Sequence, residues 1–82
     1  MRLPRDTSGD DLARALKVFG YQVTRQTGSH LRLTTQQHGE HHITIPLHDP
    51  LRVGTLSGIL GDVAEHFGIG RDEVAERVFS GR

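Results

Sequence analysis

Residues 30–35 read His-Leu-Arg-Leu-Thr-Thr, and residues 41–46 read His-His-Ile-Thr-Ile-Pro. Apolar and polar side chains alternate in both stretches, which is the period of two expected of a strand with one buried face. The polar residues 36–40 between them are typical of a hairpin loop, and Pro46 ends the second strand. We therefore predict an antiparallel hairpin whose buried side chains are Leu31, Leu33, Ile43 and Ile45.

The opposite face of this hairpin is polar. It carries His30, Arg32 and Thr34 on the first strand and His42 and Thr44 on the second. Because successive side chains of a strand point to opposite faces, these residues cannot join the core with the leucines and isoleucines. The sequence thus predicts a polar, solvent-facing surface on a rigid sheet.

Upstream of the hairpin, the sequence predicts a helix and a first strand. Ser8 followed by Asp11 is typical of a capped helix start, and apolar residues then recur with helical spacing over residues 9–19. Gly20 is a typical helix stop. Residues 21–26 are rich in strand-forming residues and precede a short turn that contains glycine.

Downstream of the hairpin, two helices follow a connecting loop. The first of them is predicted to start at a Thr55 cap. Its apolar side chains are spaced for one wide buried face, formed by Leu56, Ile59, Leu60, Val63, Ala64 and Phe67. Gly58 and Gly61 are unfavourable inside a helix, which indicates close approach of another element. After a glycine stop at residues 68–70, residues 71–79 predict a last helix.

The order α-β-β-β-α-α predicts an α+β fold, in which a three-stranded antiparallel sheet carries its helices on one face. We expect residues 1–82 to form a single domain. The chain contains no cysteine and no apolar run near the roughly 20 residues that a membrane span needs. This composition excludes a disulfide scaffold and a membrane helix, and it favours the cytoplasm because the N-terminus carries no apolar signal segment.

Charge is balanced over the whole chain and uneven along it. Ten basic residues face ten acidic ones, so net charge does not point to a polyanionic partner. Residues 1–35, however, carry six basic and three acidic side chains. The mildly basic N-terminal part is either a scatter of solvated charges or one side of a binding surface.

His30 is the first candidate for chemistry. It follows Gly28-Ser29 at the entry to a strand, and its neighbours Leu31 and Leu33 occupy the core face, so its imidazole is expected to be accessible. Histidine takes or releases a proton near neutral pH, and a positioned general base accelerates a proton transfer about 10²–10⁴-fold. The alternative is an ordinary surface histidine on a strand.

A second group of histidines invites a metal hypothesis, because imidazole is a common ligand of zinc, copper and nickel. The group consists of His38, His41, His42 and His48. On a strand, adjacent histidines point to opposite faces, and no cysteine is present to complete a tetrahedral site. Ser29 is not a candidate nucleophile with His30 as its base, because adjacent residues seldom reach serine–base geometry. We therefore expect no bound metal and no cofactor.

The whole pattern resembles the HicA toxin family. The resemblance covers about residues 8–79. The residues that carry it are Phe19-Gly20-Tyr21, Arg25-Gln26-Thr27-Gly28-Ser29-His30, Ile43-Thr44-Ile45-Pro46, His48, Leu51, Arg52, Gly54-Thr55-Leu56, Ile59-Leu60 and Phe67-Gly68-Ile69. The resemblance implies a fold like that of double-stranded-RNA-binding domains and an activity that cleaves mRNA and arrests translation. It also implies inhibition by a cognate HicB antitoxin, and it makes His30 the essential catalytic residue.

Elementary chemistry gives that histidine a role. As a general base, His30 would remove the proton from a ribose 2′-hydroxyl, so that this oxygen attacks the adjacent phosphorus without a metal. Arg25 and Arg32 are the first candidates for phosphate contacts, and Lys17 and Arg52 are weaker ones.

Three further residues have expected roles at the same site. Gly28 and Ser29 are expected to shape the turn and to offer backbone N–H groups to a phosphate. His48 is a candidate for the acid that protonates the leaving oxygen. We expect a free monomer with mRNA and the antitoxin as partners and no membrane contact. The alternative function is a non-catalytic RNA-binding module of the same fold.

Overall fold

The structure is a computed structural model that describes residues 3–80. A first helix, α1 (Gly9–Ala15), continues into a 3₁₀ helix (Leu16–Phe19) and is followed by three strands, β1 (Gln22–Thr27), β2 (His30–Thr35) and β3 (His41–Pro46). Two helices, α2 (Val53–Phe67) and α3 (Arg71–Phe79), complete the fold. The predicted α+β class and the order α-β-β-β-α-α are confirmed.

The three strands form one antiparallel sheet in the order β1-β2-β3. In the β2–β3 pair, Leu31 lies opposite Ile45 and Leu33 lies opposite Ile43. All four of these side chains are buried, as the alternation predicts. The other face of the hairpin is therefore turned away from the core.

The helices pack on one face of the sheet and cover β2 and β3. Leu12 and Leu16 from the N-terminal helices, Leu60 and Val63 from α2, and Val74 from α3 are fully buried in the core. The helices do not cover β1. All six of its residues are exposed, and Val23 keeps 50% of its surface accessible to solvent. β1 is thus an edge strand whose side chains belong to the surface on both faces.

The start of α1 is as predicted. The Ser8 hydroxyl accepts the Asp11 backbone N–H, and the Asp11 carboxylate accepts the Ser8 N–H, which together form a capping box. The last four residues of the predicted helix adopt the tighter 3₁₀ form, and Gly20 ends it with a φ of +81°. Tyr21, which was predicted to lie in β1, is instead fully buried just before it.

Two predictions about α2 are wrong. The helix begins at Val53 rather than after Thr55, because Arg52 already has the extended cap conformation and its carbonyl accepts the first helical N–H, from Leu56, at 2.9 Å. Gly58 has no neighbour within 4 Å of the position of a side chain, so nothing approaches it. Close approach is confirmed only at Gly61, where a Cβ would lie 3.2 Å from the Arg71 guanidinium.

Within residues 3–80, no helix combines the length and the apolar character that crossing a membrane would require.

Candidate active site

A two-residue turn presents His30 at the start of β2. Thr27 pairs with His30 across the hairpin, which leaves Gly28 and Ser29 as the turn. Gly28 has a φ of +54°, and an added Cβ there would meet nothing within 4 Å. The requirement for glycine is therefore conformational, since only glycine adopts this left-handed backbone without strain.

The end of β3 and the residue after it hold this turn in place. The Ser29 carbonyl accepts the N–H of Leu47 at 2.7 Å, and His30 itself pairs with Pro46. The backbone of Pro46 is in close contact with α1, because a Cβ on Gly9 would lie 2.0 Å from the Pro46 oxygen. The end of β3 thus ties the His30 backbone to the first helix.

The His30 side chain lies on the outer face of the sheet and is exposed, as predicted. Among residues 3–80, no hydrogen bond or ion pair engages its imidazole. Both ring nitrogens are therefore available to a ligand.

Two arginines lie on the same face as His30, both on the side away from the turn. Arg25 of β1 lies directly opposite Arg32 of β2, and both side chains are exposed. In a regular strand Val23 and Arg25 would lie on the same face. A bulge between them places them on opposite faces, so that Val23 pairs with buried Leu33 while Arg25 lies on the outer face. The sequence alone did not predict this bulge.

Like charges directly opposite each other on a sheet are destabilising. In the described part of the chain neither Arg25 nor Arg32 forms an ion pair. Residues 12–39 contain no aspartate or glutamate, and Glu40 interacts with Arg32 through its charge without forming an ion pair. An anionic ligand such as a phosphodiester would offset the repulsion between the two guanidinium groups.

A chain of hydrogen bonds continues along the outer face from Thr24 to Glu40. The Thr24 and Thr34 hydroxyls are 2.9 Å apart, and Thr34 Oγ1 lies 2.8 Å from His42 Nδ1. His42 Nε2 lies 2.7 Å from Glu40 Oε2. The bond from His42 is the largest cause that holds the pKa of the Glu40 carboxyl below its ordinary value, followed by a hydrogen bond from Gln36.

The other predicted site residues lie at different distances from His30. His48 follows β3 by two residues, so the bond between Leu47 and Ser29 keeps its backbone near the turn. Arg52 is exposed at the start of α2. Lys17 lies beside the first residues of β1, which pair with the far end of β2, so it is at the opposite end of the sheet from His30.

A second cluster of rings lies under the sheet and was not predicted. His41 stacks on His66 of α2 at 4.3 Å between ring centroids, and the Tyr21 hydroxyl is hydrogen-bonded to His41 Nδ1 at 2.7 Å. His41 and His42 do point to opposite faces. Within residues 3–80, no three histidine or carboxylate side chains are arranged to hold a metal ion, so the metal hypothesis finds no support there.

Comparison with known families identifies the family of the chain. The family described as HicA toxin of bacterial toxin-antitoxin has a model that matches residues 9–66. The chain belongs to the HicA toxin family. No curated protein sequence and no solved structure matches the chain significantly.

Membership in the HicA toxin family makes the chain a toxin of a toxin–antitoxin system with a cognate antitoxin as its partner. The matched region contains the Gly28-Ser29 turn, His30 and both outer-face arginines, and it ends within the last turn of α2.

Proposed function

We propose that this HicA-family toxin is a metal-independent endoribonuclease that cleaves mRNA, with His30 as the general base. The observation that carries the proposal is the open imidazole of His30 on the same face as two arginines that form no ion pair in the described chain. General base and cationic groups are the two components that cleavage by a neighbouring hydroxyl requires.

The reaction is an internal transfer of the phosphoryl group. His30 takes the proton of a ribose 2′-hydroxyl, and the 2′ oxygen forms a bond to the adjacent phosphorus. The bond from phosphorus to the 5′ oxygen of the next nucleotide breaks, and that oxygen receives a proton from His48 or from water. The products are a 2′,3′-cyclic phosphate and a 5′-hydroxyl end.

The surrounding residues position the phosphate and stabilise its charge. Arg25 and Arg32 donate to the phosphoryl oxygens as negative charge develops there. Gly28 and Ser29 contribute the turn and its backbone N–H groups, and Arg52 extends the cationic surface. Lys17, at the far end of the sheet, contacts RNA only beyond the cleaved bond.

The remaining features of the proposal concern the cellular setting. Residues 1–82 act as a single domain and as a free monomer in the cytoplasm. A cognate antitoxin of the HicB type inhibits the toxin by covering the outer face that carries His30. Such cover would block the base and the two arginines together.

The test is incubation of the purified protein with single-stranded RNA in EDTA. We expect the wild type to produce cyclic phosphate ends and His30→Ala to produce none, with an unchanged melting temperature. A positioned general base predicts a loss of about 10²-fold or more. His38→Ala is the matched control, because it removes another exposed histidine, one that packs on Phe67.

Two outcomes would contradict the proposal. Equal cleavage by the wild type and His30→Ala would exclude His30 as the base. Intact RNA with both proteins, together with measurable binding, would instead favour the non-catalytic RNA-binding module.

A further inference from the structure

His42 occupies an unusual position on the outer face, because both edges of its imidazole are already engaged. Thr34 Oγ1 lies 2.8 Å from Nδ1, and Glu40 Oε2 lies 2.7 Å from Nε2. Since a carboxylate only accepts, Nε2 donates to Glu40, and Nδ1 of the neutral ring accepts the Thr34 hydroxyl. Thr24 in turn bonds to Thr34, so the ring orientation is held from two sides.

The ring nevertheless remains accessible. The His42 side chain keeps 38% of its surface exposed. Because both nitrogens are engaged, a ligand can approach without breaking a hydrogen bond only through the flat face of the ring. Flat ring faces are the surfaces on which proteins stack unpaired nucleobases.

The place of His42 on the sheet relates it to the cleavage site. His42 lies directly opposite Thr34, which is four residues along β2 from His30. At the rise of a β-strand this separation is about 13 Å. Arg32 lies between the two positions on the same face. The distance is too long for His42 to act on the phosphate at the cleaved bond, and it suits a nucleotide farther along the same strand of RNA.

The charges on this face favour different parts of an RNA strand at different places. Glu40 carries a carboxylate next to His42, which repels phosphate groups, whereas Arg25 and Arg32 attract them. An RNA strand crossing this face would therefore place its backbone along the arginines and turn a base toward His42.

We propose that His42 is a stacking platform for an unpaired nucleobase beyond the nucleotide that is cut. Glu40 and Thr34 act as positioning residues that fix the plane of its ring. The inference rests on the proposed RNA substrate, and it assigns to His42 a role in binding rather than in proton transfer.

Binding is measured in the His30→Ala background, so that RNA stays intact. Fluorescence anisotropy with a short single-stranded RNA reports affinity, and His42→Ala is expected to weaken it about five-fold or more, as for other stacked bases. His42→Phe keeps a flat ring but loses the two hydrogen bonds that orient it, so its affinity is expected to lie between those of His42 and His42→Ala. His38→Ala serves as the control that removes a histidine elsewhere.

An abasic scan separates stacking from a general loss of binding. A single abasic nucleotide is moved along the RNA, and one position is expected to weaken binding to protein that carries His42. At that position the abasic change should cost nothing further in His42→Ala, because the two changes remove the same contact.

Three outcomes of these binding measurements would contradict the stacking role of His42. Unchanged affinity in His42→Ala, or independent effects of the abasic change at every position, would overturn the stacking role while leaving cleavage by the wild type intact. An equal loss of affinity in His42→Ala and His42→Phe at unchanged melting temperature would show that the flat ring contributes nothing to binding and would also overturn it. If protein with His42 binds no RNA, this inference and the proposed function both fail.

Discussion

At the scale of single residues, Tyr21 shows how one buried polar group is satisfied by a hydrogen bond. Its side chain is fully buried, and its hydroxyl contacts His41 Nδ1 at 2.7 Å. Burial, followed by the negative charge of Asp62, raises the pKa of Tyr21 to about 12. The phenol therefore stays protonated throughout the physiological range, and its hydroxyl remains intact as the hydrogen-bond partner of His41 Nδ1.

Tyr21→Phe removes this hydroxyl and leaves His41 Nδ1 without its hydrogen-bond partner. We expect a loss of about 1 kcal/mol in the free energy of unfolding, the usual contribution of a single hydrogen bond. For a domain of this size the melting temperature should fall by about 4–8 °C. Urea unfolding of both proteins measures the change, with the exposed Thr44→Val as the control for loss of a hydroxyl. Identical midpoints would show that the bond contributes nothing.

At the scale of elements, the bulge in β1 decides which side chains share a face with His30. Val23 pairs with Leu33 and Arg25 pairs with Arg32, which leaves Thr24 as the extra residue. Thr24 turns outward and bonds to the Thr34 hydroxyl. A single inserted residue thus lets one short edge strand serve the inner face at Val23 and the outer face at Arg25.

Two one-residue deletions test the facing of Arg25. Deleting Thr24 removes the bulge and leaves Arg25 opposite Arg32, whereas deleting Gln26 gives an equally regular ladder with Arg25 opposite Leu31, on the inner face. Both variants have the same length and charge. We expect RNA cleavage or affinity about tenfold lower in the Gln26 deletion, the value of one charged phosphate contact.

The Thr24 deletion also removes a hydroxyl from the outer face, which could only lower its own RNA affinity. A lower affinity in the Gln26 deletion therefore cannot be explained by the loss of that hydroxyl. Circular dichroism and melting temperature confirm that both variants fold. Equal RNA affinity in two folded variants would mean that the direction of Arg25 does not matter for binding.

At the scale of the whole molecule, histidines join the β2–β3 loop to α2. His66 Nε2 donates to the carbonyls of Gln37 at 2.9 Å and Gly39 at 3.1 Å, and its ring stacks on His41. Burial, and then the nearby His66, lower the pKa of His41, with a smaller contribution of the same sign from His42 and opposing contributions from Asp62 and Glu65.

This lowered pKa makes stability depend on pH in a defined direction. His41 binds a proton more weakly in the folded chain than in the unfolded one, so stability falls as the pH drops below the ordinary histidine pKa of about 6.5 and stops falling below the folded value. Unfolding midpoints between about pH 5 and pH 7 measure the slope. His41→Gln replaces the titrating ring by a neutral amide that can still form a hydrogen bond, and it should show a shallower slope. Equal slopes in the two proteins would contradict the assignment to His41.

Much of the fold could be predicted because its signals are local. Alternation in residues 30–35 and 41–46 fixes both strands and places His30, Arg32 and His42 on one face, and the helical spacing identifies α2 and α3. The start of α2 was misplaced because Arg52 caps the helix through its backbone alone, which leaves no side-chain signal in the sequence.

The sequence by itself determined the order of elements, the buried face of the hairpin and the exposure of His30, because these depend on periodicity between near neighbours. Only the tertiary structure decided the bulge that turns Arg25 outward, the two hydrogen bonds that orient His42, and the separation of Lys17 from His30. Each of these depends on the register between strands or on packing between distant segments, and the alternation within one strand carries no information about its partner.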